Sequence, residues 1–385
     1  MPNPSNAGRK LPCNGPGNVR GKRHWRALRR QNQGVAILIF LTIIVLGVIT
    51  LLVTQLSPNS LKVKRHASTS LVLDAAVQAL VGYSLRQAVP GELPCPDSTG
   101  DGLPNVSGAG CVDQLGLVPF RALELDNLTD ATGATLWYAV SLDLLSNAAT
   151  LKNSSLGSTL TLDGLPVAAV VIAPGGAING QNRVLLNVAD FLEGVNADAN
   201  RDDFVSTINA VQNDQMLAVR RETLWPMVET LASSRAANLL SNYRANCGEY
   251  PWAAAFGGAP DSVDTLQAGA LPLGSALPFN WSAACGASVA PAVDDWLATH
   301  WQDQFFYRMC TVFEGDCVTI ANSTSSPAAA VVIAPGISMG AQARPSAVIG
   351  DYFEDENSDV NDADFKFLTF FDRPVGFNDT LTTLP

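Results

Sequence analysis

Three hydrophobic patterns follow one another along the chain. The first is an unbroken apolar run from Val35 to Leu56 with no charged residue. A helix of that length, at about 1.5 Å per residue, reaches roughly 33 Å, enough to cross a ~30 Å hydrocarbon core. It predicts a transmembrane helix over 35–56. The second pattern is helical periodicity. Leu71, Ala75, Leu80 and Tyr83 predict a helix from Leu61 to Arg86, and Leu224, Val228, Leu231 and Leu239 predict another from Glu222 to Tyr243. The third is a set of short extended segments. Leu136–Val140 reads as a strand, and Thr159–Leu162 and Leu165–Ala168 flank Asp163-Gly164. A two-residue type I′ turn favours that dipeptide because both central residues need positive φ. The continuous run Ala168–Ala173, closed by Pro174-Gly175, predicts a strand buried on both faces. Proline and glycine between Gly91 and Gly102 make that stretch a loop.

The third pattern occurs twice. Ala168–Arg183 reads AAVVIAPGGAINGQNR and Ala329–Arg344 reads AAVVIAPGISMGAQAR, ten identities in sixteen positions. The register continues without a gap, pairing Asp190 with Asp351, Glu193 with Glu354, Asn196 with Asn357, Asp198 with Asp359, Asn200 with Asn361 and Phe204 with Phe365. Upstream, Gly91-Glu92-Leu93-Pro94 is echoed by Gly248-Glu249-Tyr250-Pro251. Two long units form a tandem duplication, whereas a solenoid needs three or more short repeats.

Charge gives the chain a direction. Arg9, Lys10, Arg20, Lys22, Arg23, Arg26, Arg29 and Arg30 precede the apolar run, and no acid occurs in residues 1–34. Such asymmetry holds the N-terminus in the cytoplasm and sends the rest across the membrane. The whole chain carries -11, but beyond Gly34 there are 16 Lys plus Arg against 35 Asp plus Glu. An exported part this acidic argues against nucleic acid as a partner.

The junction Arg29-Arg30-Gln31-Asn32-Gln33-Gly34, followed at once by Val35-Ala36-Ile37-Leu38-Ile39, resembles that of type IV prepilins and type II secretion pseudopilins. The resemblance implies cleavage by a prepilin peptidase after Gly34, methylation of Val35 as the first mature residue, and pilin or pseudopilin subunits as partners. Pilins carry a glutamate at the fifth mature position, where it neutralises a neighbour's N-terminal ammonium. Here that position is Ile39. The tip-located K-type minor pseudopilin similarly lacks this glutamate, so Ile39 favours a minor or tip subunit. The loop Leu93-Pro94-Cys95-Pro96-Asp97, its Gly100-Asp101-Gly102 continuation and the Leu136–Val140 strand also resemble uncharacterised pilin-like proteins. The implied fold class is α+β: a basic leader (1–34), a transmembrane helix (35–56), and two duplicated pilin-like heads (57–221 and 222–385), each a helix packed on an antiparallel sheet.

Beyond Cys13 in the leader lie six cysteines, an even number suited to an oxidising compartment. Closeness in sequence favours Cys95 with Cys111, Cys247 with Cys285, and Cys310 with Cys317. Oxygen side chains at alternate positions suggest calcium loops at Asp97, Thr99 and Asp101, at Asn196, Asp198, Asn200 and Asp202, and at Asn357, Asp359 and Asn361. The EF-type glycine is replaced by Arg201 and Asp362 in the duplicated loops, and the terminal glutamate is absent from all three, so solvated Asx turns are the competing reading. Histidine is limited to His24, His66 and His300, and no G-x-S-x-G, H-E-x-x-H or P-loop occurs. Asp294, Asp295 and His300 stand beside Trp296 and Trp301, which read as core.

The expectation is a non-enzymatic, single-pass protein of the bacterial inner membrane with a periplasmic C-terminal part. It would be a minor pilin or pseudopilin that can be extracted into a fibre. The alternative is an anchored periplasmic binding protein or adhesin that never enters one.

Overall fold

The computed structural model describes residues 24–55, 58–108, 110–145, 150–178, 180–198, 200–259, 261–263, 265–273, 295–311, 313–321, 327–359, 364–366 and 376–385. It divides into two units, Met1–Lys64 and Arg65–Pro385. The first is dominated by helix α1 (His24–Gln55). From Gly34 to Leu51 this helix is long and apolar enough to span a bilayer, and none of that stretch is buried by protein. Between Gly34 and Leu51 the two hydroxyls are tied to the helix's own carbonyls: Thr42 Oγ1 donates to Ile39 O and Thr50 Oγ1 to Leu46 O, both at 2.7 Å.

The second unit is α+β. Helix α2 (Pro58–Arg86) enters it at Arg65 and buries Leu73, Ala76, Val77, Leu80 and Val81. Four antiparallel strands follow in the order β1 (Leu115–Leu117), β2 (Trp137–Val140), β3 (Ala169–Ala173) and β4 (Gln215–Val219). Helix α3 (Arg221–Cys247) then opens a second passage through the same plan. Its sheet runs β5 (Ala268–Ala270), β6 (Phe306–Met309), β7 (Ala330–Ala334) and β8 (Thr380–Leu384), again antiparallel throughout. Corresponding residues keep corresponding partners: Trp137 faces Ile172, and Phe306 faces Ile333.

Each repeat adds a short parallel pair, Thr161-Leu162 with Asp203-Phe204 and Thr319–Ala321 with Asp364–Lys366. The Asp163-Gly164 turn has φ of 53° and 77°, as a type I′ hairpin requires, and pairs Leu162 with Leu165. The duplication is therefore one of topology as well as sequence.

Burial explains why β3 and β7 carry no polar residue. Ala169, Val171 and Ala173 face one core, and Val170 and Ile172 face another. In the second sheet Ala330, Val332 and Ala334 face the first of these cores, while Val331 and Ile333 face a third. The common core takes α2, α3 and the inner faces of both sheets, while each sheet keeps a smaller core of its own on its other face. The two repeats, each with its own helix and sheet, therefore share one core and hold one apiece.

Helix α3 ends at Gly248, whose φ of 83° lets its N–H reach Arg244 O at 2.7 Å. The chain then turns into Pro251, whose carbonyl accepts from Tyr307 Oη at 3.0 Å. In the first repeat Tyr138 Oη donates likewise to Pro94 O at 3.2 Å.

Candidate functional site

The predicted processing site lies within α1, so the Gly34–Val35 peptide is helical, and Val35 and Ile39 are exposed. Among the cysteines, Cys95–Cys111 and Cys310–Cys317 are disulfides with Cα atoms 5.3 and 5.7 Å apart. Cys247 is also disulfide-bonded; Cys285, its expected partner, lies outside the described residues.

Several side chains of the three acidic loops accept from backbone donors. Asp97 is buried and accepts from Thr99 N at 2.9 Å and from Gly100 N and Gly102 N at 2.7 Å, as well as from Thr99 Oγ1 at 3.1 Å. Asp101 accepts from Leu103 N, and Asp198 from Asn200 N and Arg201 N. Asp202 is exposed, and its carbonyl accepts from Thr161 N. Arg201, at loop position six, has φ 56° and brings its guanidinium to Asp113, so a cation already stands beside this loop.

Asn196 and Asn357 differ from the calcium expectation. Both are buried, and each reads one backbone residue in both directions. Asn196 Oδ1 accepts from Val205 N at 2.9 Å and its Nδ2 donates to Val205 O; Asn357 treats Lys366 in the same way. Their oxygens are taken by these amides and are not presented to an ion. Asn361 lies outside the described residues. Among the described residues no three His, Cys, Asp or Glu side chains form a metal-binding group.

The residues that do converge form a circuit present in both repeats. Glu193 Oε1 accepts from Gln181 Nε2 at 2.8 Å and Oε2 from Asn213 N at 3.1 Å. Asp214 Oδ2 accepts from Asn196 Nδ2 at 2.9 Å and Glu193 N at 3.3 Å. In the second copy Glu354 accepts from Gln342 Nε2 at 2.7 Å and Asn378 N at 3.1 Å, and Asp379 accepts from Asn357 Nδ2 at 3.1 Å and Glu354 N at 3.0 Å. Beside each stands an arginine wrapped in carbonyls: Arg183 reaches Gly175 O, and Arg344 reaches Gly336 O at 2.7 Å.

Burial raises the Asp214 carboxyl to about 7, and neighbouring Glu193 pushes in the same direction. Asp379 is pushed well above the usual carboxylate range by the same causes, with Glu354 as its neighbour. The two aspartates are 165 residues apart, whereas the matched residues before them, such as Asp190 and Asp351, are 161 apart. The shared dipeptides Asn213-Asp214 and Asn378-Asp379 align once a four-residue gap is allowed.

A cleft of about 240 Å³ opens where the repeats meet, with Asn153 and Ser155 on one wall and His300, Asp303 and Gln304 on the other. Its walls are cross-tied. His300 Nδ1 accepts from Lys152 N at 3.1 Å, Asn153 Nδ2 donates to His300 O at 2.7 Å, and Ser155 Oγ donates to Gln304 Oε1 at 2.7 Å. Burial, and then Lys152, lower the His300 pKa, which keeps the ring neutral with its proton on Nε2. Lys152 is itself buried, its Nζ donating to Asp143 O at 2.6 Å and Thr150 Oγ1 at 2.7 Å. Trp296 and Trp301 are core, the first under the Arg235 guanidinium and the second stacked on Phe305. Asp294 lies outside the described residues.

The chain matches no protein-family model, no curated protein and no solved structure.

Proposed function

We propose that this protein is a membrane-anchored structural subunit, a minor pilin or pseudopilin with Val35 as its first mature residue and a periplasmic, duplicated head. The observation that carries the reading is α1: an apolar helix with no protein covering it, preceded by a purely basic segment ending in glycine. Such a surface is stable only in lipid or against other apolar helices. Ile39 supports a tip or minor position, because a subunit with no neighbour above it has no ammonium to neutralise there. Asp97 and Asp198, each held by backbone donors of its own loop, suit a scaffold that presents a surface. Partners in this reading are a prepilin peptidase, other pilin-type helices and the bilayer.

The test is the N-terminal sequence and mass of the membrane-extracted protein, with and without a coexpressed prepilin peptidase. A peptidase-dependent chain beginning at Val35 supports the reading. An intact Met1, or a cut beyond Leu56, under both conditions overturns it. The second reading, an anchored binding protein, draws on the cleft between the repeats and would stand if Val35 never becomes the N-terminus.

A further inference from the structure

The two Glu–Asp circuits contain an electrostatic gap. Each aspartate accepts from the backbone N–H of its glutamate, Asp214 Oδ2 from Glu193 N at 3.3 Å and Asp379 Oδ2 from Glu354 N at 3.0 Å, which brings the two acidic residues of each circuit together. Ionised carboxylates only accept hydrogen bonds. Asp214 Oδ1 and Asp379 Oδ1 are both buried without a donor, although the other oxygens of the four carboxyls each have at least one. Two adjacent, acceptor-only groups in such a site lack one donor between them.

We propose that each circuit is closed by one shared proton, between Glu193 and Asp214 in the first repeat and between Glu354 and Asp379 in the second, making a duplicated, pH-sensitive latch. The shell around the carboxyls favours a proton over a metal ion. It is built of N–H donors, from Gln181, Asn196, Asn213 and the Glu193 backbone in one copy and from Gln342, Asn357, Asn378 and the Glu354 backbone in the other, whereas a hard cation needs converging oxygens. The Asn196 and Asn357 amides cannot turn over without losing both bonds to Val205 or Lys366.

The neighbouring charges are also accounted for. Arg183 faces the first pair through Gln181 Oε1 at 3.1 Å. Arg344 faces Glu354, Asp379 and Glu229, with its guanidinium held by Pro335, Gly336, Asp351 and Tyr352 carbonyls. The latch joins the excursion after β3 or β7 to the start of β4 or β8. Loss of the proton leaves two negative charges in contact and releases that excursion from the sheet. The inference does not depend on the pilin reading.

The sign follows from the raised carboxyls. The native state holds protons that the unfolded chain gives up near its ordinary value of 3.8, so the stabilisation is full below that value and lost as pH rises through about 7 for Asp214. The experiment uses the full chain in detergent micelles. Infrared spectra in D₂O at about pH 6, where ordinary carboxyls are ionised, count neutral carboxyl groups. Thermal unfolding is followed in parallel from acid to alkaline pH.

The expected result is that D214N/D379N has two fewer neutral carboxyls than the native protein, and a melting temperature that falls less as pH rises through neutrality. Glu92 and Asp303, whose carboxyls are also raised, account for the slope that remains. Should that variant fail to fold, E193Q/E354Q, which supplies an amide donor to each aspartate, is expected to flatten the profile in the same way. Identical carboxyl counts and superimposable profiles would overturn the proposal. So would a chelator-reversible rise in melting temperature with added calcium and no neutral carboxyl in the native protein, which would identify a cation in the proton's place.

Discussion

Ser154 Oγ donates to Glu229 Oε1 across 3.1 Å, joining a loop of the first repeat to the central helix of the second. The same oxygen accepts from Gly336 N at 3.0 Å, in the turn after β7. In the first repeat the equivalent turn, at Gly175, is held instead by Asp130 Oδ2 at 2.8 Å. One copy has therefore kept a local acid for its turn, while the other uses an acid on α3 that also reaches its neighbour. Replacing Glu229 by Ala leaves buried donors unpaired and is expected to cost about 3 kcal/mol. Ser154→Ala should cost about 1 kcal/mol, since Glu229 keeps its other partner. Denaturant unfolding of the full chain in micelles measures both, and equal small effects would show that Glu229 does not fasten the repeats.

A second junction contact is steric. Gly91 has φ of 108°, and a Cβ there would come within 3.0 Å of the Trp225 ring. The two sit on different repeats, in the turn after α2 and in the first turns of α3. Gly91→Ala combines a strained backbone with overpacking and is expected to destabilise by about 1–3 kcal/mol. Gly248→Ala has positive φ but open space around it, and its cost should be smaller. A reversed order would mean that the repeats can separate at this point without loss.

These contacts mark what the sequence made legible. Local signals carried well: Asp163-Gly164 forms the expected hairpin, and the apolar run at 169–173 and its repeat at 330–334 are buried. The register of the duplication predicted the matched sheets. Partners distant in sequence were not legible. In α3 the periodic Leu224, Val228 and Leu239 are buried as expected, whereas in α2 Leu71 and Ala75 are exposed and Leu73, Ala76 and Val77 are buried in their place; neither pattern shows that the two helices share one core. Lys152 reads as an ordinary loop lysine, and only the fold encloses it. Asn196 and Asn357 sit in an alternating pattern that suits calcium, yet each lies in a short 3-10 turn with its side chain buried against one backbone residue. Asp214 and Asp379 were hidden by four residues of difference in loop length.

The disulfides allow a comparison that does not depend on packing. Cys95–Cys111 closes a separation of 16 residues and Cys310–Cys317 one of 7. In the chain-entropy model both bonds are worth about 3 kcal/mol, the longer loop slightly more. C95S/C111S should nevertheless be the more damaging change, because Cys95 adjoins the loop in which Asp97 gathers four donors. Melting temperatures of the two variants, each measured with and without reductant, test this. Reductant should lower the native protein toward the C95S/C111S value, and a larger loss in C310S/C317S would contradict the argument.

Glu92 and Lys152, both near the junction, influence one another electrostatically. Burial raises Glu92 to about 7 while Lys152 opposes that rise, and burial lowers Lys152 while Glu92 and Asp143 oppose that fall. Attraction therefore offsets only part of the desolvation of each group. For Glu92 the folded value exceeds the ordinary 4.5, so its stabilising contribution is complete below 4.5 and disappears as pH rises through about 7. Glu92→Gln should flatten the stability profile in that window without changing the count of neutral carboxyls at the two Glu–Asp circuits. Lys152→Met preserves length but removes the donors to Asp143 O and Thr150 Oγ1, and should raise the Glu92 midpoint further. Carboxyl titration by infrared in K152M reads this directly: an upward shift identifies Lys152 as the charge that restrains Glu92, and a downward shift would show that burial of Glu92 depends on the lysine itself.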